Sequence, residues 1–107
     1  MKKLLVVVFI LMAGVAWAND DEIEKTCVAF SDLAMTVMEK RQGGIPITRV
    51  LDAIKNVKGP EAAGIMIKEI VYMAYEQPNY QAPENQQREI TRFADEIFLR
   101  CIRANTK

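Results

Sequence analysis

This 107-residue chain has no histidine, one serine and two cysteines, so little reactive chemistry is open to it. The absence of histidine removes the commonest general base and the commonest metal ligand. Ser31 sits inside an amphipathic helical pattern with no base at a recognisable spacing, and reads as a small helix residue. Glu69, Asp95 and Glu96 are scattered on solvated faces, and Gly43-Gly44 lacks the surroundings of a phosphate-binding loop. Met35 and Met38 lie one helical turn apart, and Met66 and Met73 share a later segment. Thioethers can hold Cu(I), but methionine is also an ordinary filler of core gaps, and these four read as core. The sequence predicts no enzyme activity, no metal and no cofactor.

Cys27 and Cys101 are a different matter. A pair of cysteines in an exported chain forms a disulfide more readily than a thiol site, and the C-x-x-C spacing of a redox centre is absent. The alternative is a pair of buried thiols. A bond between these two would close a loop spanning most of the chain, worth about 4 kcal/mol on chain-entropy reasoning.

Export itself is read from the first residues. Lys2 and Lys3 precede an apolar run from Leu4 to Val15, and Ala16-Trp17-Ala18 offers the small-x-small site of a signal peptidase. The expected organisation is a signal peptide over 1–18 and a single helical domain over 19–107. Its expected place is the periplasm or the exterior. No later stretch is apolar enough to span a bilayer, so no stable membrane span is expected after cleavage. Removing Lys2 and Lys3 from 14 bases balanced by 14 acids leaves a net charge of about −2. That balance gives no basic face for nucleic acid.

Four helices must carry these residues. From Asp21 to Gln42, Ile23, Cys27, Phe30, Ala34 and Val37 recur at three- and four-residue steps; acids open the segment, and Lys40 and Arg41 close it before Gly43 and Gly44. A shorter helix is expected over 47–57 behind Pro46, with Ile47, Val50, Leu51, Ile54 and Val57 on one face. A third runs from Pro60 to Glu76 with Ala63, Met66, Ile67, Ile70, Val71 and Ala74 inward. The fourth runs from Pro83 to Ala104 on Ile90, Phe93, Ala94, Ile97 and Cys101, widened by Phe98, Leu99 and Ile102. Cys27 near the start of the first helix and Cys101 near the end of the last can meet only if those helices are antiparallel. The fold class is therefore all-α: a compact four-helix domain with a short second helix, its first and last helices antiparallel and joined by one disulfide.

Two stretches could make a contact surface. "YMAYEQPNYQAPENQQRE" gathers Tyr72, Tyr75 and Tyr80 around Pro78 and Pro83, and rigid rings with polar tips suit interfaces. "KRQGGIPI" places Gly43, Gly44 and Ile45 in a loop that could expose an apolar side chain. The competing readings are a wet core rim for the tyrosines and a plain helix-helix turn for the glycines.

"EKRQGGIPI" after a methionine-rich helix, "AYEQP" at a later helix end, and a Phe-x7-Cys helix at the C-terminus resemble small periplasmic helical proteins of Gram-negative bacteria and their phages. The resemblance covers the mature chain loosely and implies a periplasmic place but no particular activity. In architecture alone, short, exported, helical and stapled once, the chain is also similar to periplasmic acid-stress chaperones. The leading expectation is an exported module that binds a periplasmic or envelope protein as inhibitor or accessory factor. A stress chaperone is second, and a methionine-based metal carrier third.

Overall fold

A computed structural model describes residues 20–106; the expected signal peptide, its cleavage site and the start of the domain at Asn19 lie outside the described residues. Four helices follow one another: α1 (Asp20–Gln42), α2 (Ile47–Ile54), α3 (Glu61–Tyr75) and α4 (Pro83–Asn105). No strand occurs among the described residues.

α1 is the hub. It packs most extensively against α4, then against α3, while α2 lies mainly on α3. Its buried stripe is Cys27, Ala34, Val37 and Met38, and it ends in buried Gln42. The facing stripe of α4 is Ile90, Phe93, Ala94, Ile97 and Cys101. Small residues let the two helices approach: the Ser31 hydroxyl donates to the Ala94 carbonyl at 3.1 Å across the interface. α3 adds Ile70, Val71 and Ala74, and α2 adds Val50. Phe93 and Met38 are the largest side chains fully enclosed; burying a side chain of this size contributes roughly 1.5–3 kcal/mol.

Cys27 and Cys101 are bonded, with Cα atoms 5.5 Å apart and a separation of 74 positions in sequence. The antiparallel pairing of first and last helices follows directly.

Local signals explain the element ends. α1 opens on Asp20, Asp21 and Glu22 and closes on Lys40 and Arg41, both favourable to the helix dipole. At its end the Ile45 N–H bonds the Lys40 carbonyl at 3.0 Å and the Gly44 N–H bonds the Arg41 carbonyl at 3.1 Å. Those paired bonds are the Schellman stop, and they require a left-handed residue between them. Gly44 supplies it at φ +83°. Gly43 continues the helical bonding to Glu39, so only one of the two glycines is needed for its backbone freedom.

Three expectations need correction. α2 ends at Ile54, not Val57: the Val57 N–H turns back to the Ile54 carbonyl, and Gly59 at φ +152° redirects the chain, leaving Val57 57% exposed. Met66 on α3 and Leu99 on α4 are exposed, because α3 and α4 make too little mutual contact to cover such wide stripes. Met35 is exposed as well. The methionines of the core are Met38 and, in part, Met73.

Candidate binding site

The two stretches singled out in sequence meet at one end of the molecule. The end of α1 and the turn after it face the connector between α3 and α4, and side chains stitch them together. Gln42 is the centre. Only 5% exposed, its amide nitrogen donates to the Pro78 carbonyl at 2.8 Å and to the Met38 sulfur at 3.4 Å. Its amide oxygen accepts the Tyr80 N–H at 2.8 Å. A buried amide left unpaired would be costly; this one is satisfied on both sides.

Arg41 adds a second tie. Its guanidinium donates twice to the Gln77 carbonyl, at 3.0 and 2.8 Å, and lies 5.3 Å from the centre of the Tyr75 ring. The Tyr75 hydroxyl donates to the Ile45 carbonyl at 2.5 Å. Burial pushes the Tyr75 phenol above its ordinary value, and the Arg41 charge offsets part of that rise. From α4, Gln86 donates to the Tyr80 carbonyl at 2.7 Å, and Arg92 reaches the Gln77 side chain at 3.2 Å. Arg92 also pairs with Glu89, a carboxylate only 6% exposed, and with Glu96 at 2.9 Å. Hydrogen bonding to Glu89 comes first in holding the Arg92 guanidinium above its usual range.

The candidate residues thus divide. Tyr75 has its hydroxyl committed to Ile45, and Ile45 packs partly against the core. Pro78 is exposed, but its carbonyl is held by Gln42. Gly43 and Gly44 are exposed turn residues. Tyr72 and Tyr80 keep exposed rings, at 42% and 36%. Sequence reading passed over Gln42, Arg41, Gln86, Glu89 and Arg92, which build the clamp. The available signal was polar: Gln42 falls on the buried stripe of α1, one helical turn beyond Met38. A glutamine there needs a partner.

The clamp orients peptide carbonyls and rings; it presents no nucleophile with a base beside it. Among the described residues no group of three or more His, Cys, Asp or Glu side chains could hold a metal ion. No described helix is long and apolar enough to cross a membrane. The chain matches no protein-family model, no curated protein and no solved structure.

Proposed function

We infer that this protein is an exported, non-catalytic binding module, and that the clamped end of the bundle is its contact surface for a periplasmic or envelope protein. One observation carries the reading: a loop that could have been floppy is tied by Gln42, Arg41 and Gln86 into a fixed shape, with the Tyr80 ring left outside. A preorganised loop has little ordering entropy to lose on binding, and exposed tyrosines are favoured anchors in interfaces. The buried Gln42 and Glu89 and the half-buried Ser31 are all spent on internal contacts, which assigns them to architecture. The disulfide supports an oxidising compartment, and the N-terminal charge and hydropathy pattern supports export through a cleaved leader.

Affinity capture from periplasmic extract tests the reading, with Tyr80→Ala and Tyr72→Ala run beside the parent. One stoichiometric partner, weakened about thirtyfold by loss of an anchoring ring, is the expected result. Capture of many unfolded clients, or of a partner indifferent to both substitutions, would overturn it.

A further inference from the structure

Near-neutral composition hides an uneven charge distribution. The first turns of α1 carry Asp20, Asp21, Glu22 and Glu24 against Lys25. From Lys40 to Pro60 the balance reverses: Lys40, Arg41, Arg49, Lys55 and Lys58 stand against Asp52 alone. Arg41 is spent in the clamp and Lys55 pairs with Asp52 at 2.8 Å. Lys40, Arg49, Lys58 and, on α3, Lys68 have no ion-pair partner among the described residues.

These cations surround apolar surface. A concavity of about 360 Å³ at the corner between α2 and α3 has Val57, Ile65, Lys55, Lys58 and Lys68 in its wall, with Glu61 the one acid. A second, of about 320 Å³ between α1 and α2, has an apolar floor that includes Leu33 and Val50, with Lys40 and Arg49 beside it. Ile54 lines both, so the two adjoin. Val57 and Ile65 are 57% and 60% exposed, the most exposed large apolar side chains among the described residues. They stand beside unneutralised lysines.

We propose that the α2–α3 corner docks on an anionic phospholipid surface. Val57 and Ile65 enter the boundary between headgroups and acyl chains, while Lys58 and Lys68 meet headgroup phosphates and Arg49 on α2 and Lys40 at the end of α1 extend the same field. Charge complementarity selects this occupant: an apolar centre ringed by cations, with one carboxylate in its walls, matches the layering of an anionic bilayer surface. α2 itself is amphipathic but neutral, Arg49 standing against Asp52, so the positive charge of the corner comes from Lys58 after the helix and Lys68 on α3. Docking involves residues different from Tyr72 and Tyr80, so it stands or falls separately from the protein contact inferred above.

Co-sedimentation with vesicles tests it, using the disulfide-bonded protein as recovered from the cells that make it. Binding is expected to phosphatidylglycerol vesicles and not to phosphatidylcholine vesicles, and to weaken with added salt. Lys58→Glu and Lys68→Glu should each lower the partition coefficient about fivefold or more, since each lysine near such a surface contributes roughly that factor. Ile65→Gln should lower it further, Tyr80→Ala should leave it unchanged, and circular dichroism should show every variant folded. Equal partition onto both vesicle types, or binding that survives both charge reversals, would overturn the proposal. So would failure to bind vesicles combined with Lys58-dependent binding of polyglutamate, which would make an acidic protein the occupant. Loss of vesicle binding in Tyr80→Ala alone would move the lipid contact to the clamp and equally refute the corner.

Discussion

At the scale of single residues, Gln42 joins the fold to the candidate surface. Replacing it by Leu leaves the Tyr80 N–H and the Pro78 carbonyl without their partner, and the expected cost is about 1–3 kcal/mol in urea unfolding. Because the same substitution frees the loop, it should weaken partner capture although Gln42 touches no partner. Tyr75→Phe removes one hydrogen bond to the Ile45 carbonyl and should cost about 0.5–1.5 kcal/mol, whereas Tyr72→Phe, with its ring exposed, should be neutral in the same assay. The raised Tyr75 phenol has a directional consequence. The fold favours the protonated form, so this contribution is whole below the ordinary tyrosine value of about 10 and is lost as pH rises through the higher folded value. Alkaline unfolding followed in parent and Tyr75→Phe should show a shallower loss in the variant.

At the scale of elements, helix ends and helix faces respond separately. Gly44 holds φ +83°, and Gly44→Ala should destabilise by about 1 kcal/mol or more, because an L side chain resists the left-handed region. Gly64 lies inside α3, and a Cβ there meets nothing within 4 Å. Gly64→Ala should therefore stabilise by roughly 0.5–1 kcal/mol. Thermal melts of the pair would show opposite signs. On α4, Glu96 lies between Arg92 and Arg100, bonded at 2.9 and 3.0 Å. Burial pushes its carboxyl up, but the bonds from Arg100 and then Arg92 outweigh that and hold it below its ordinary value. A depressed carboxylate contributes stability above its unfolded pKa, near 4.5, and that contribution disappears as pH falls through the folded value. The Arg92 and Arg100 side chains are 47% and 62% exposed, so screening keeps the effect to about 1 kcal/mol or less. Glu96→Gln should cost little at neutral pH and should flatten the decline in stability below about pH 4.5.

For the whole molecule, the disulfide joins the two longest helices across 74 positions of sequence. Replacing Cys27 and Cys101 together by Ala should cost about 2–5 kcal/mol, seen as a clear drop in thermal midpoint with helical content retained at low temperature. Titration of two reactive thiols in the native protein would contradict the bond. The same staple limits how far acid can open the bundle. Below the carboxylate range the chain becomes strongly cationic, and with no histidine no transition near pH 6 is expected. Light scattering of an acid-labile client at pH 2–3 should show no protection, since the loosening is an incidental response to charge.

Periodicity and punctuation in the chain were sufficient for the four helices, their order and the antiparallel pairing of the outer two. Those features depend on local spacing: apolar residues at three and four, prolines at helix starts, acids and bases at opposite ends, and two cysteines that can bond only one way. Spacing could also mark Tyr72, Tyr75, Tyr80, Gly43, Gly44 and Ile45 as unusual. It could not assign them different roles, because Tyr75 is tied to Ile45 by a bond across 30 positions and Tyr80 is held by Gln42 across 38. Nor could it end α2 at Ile54 or leave Val57, Met66 and Leu99 in solvent. An apolar stripe records what a helix is able to bury, while the neighbour that covers it is supplied by packing. Charge followed the same division: composition set the net value near neutrality, and only the folded chain gathered Lys40, Arg49, Lys58 and Lys68 around an apolar corner, because elements distant in sequence had to be brought side by side.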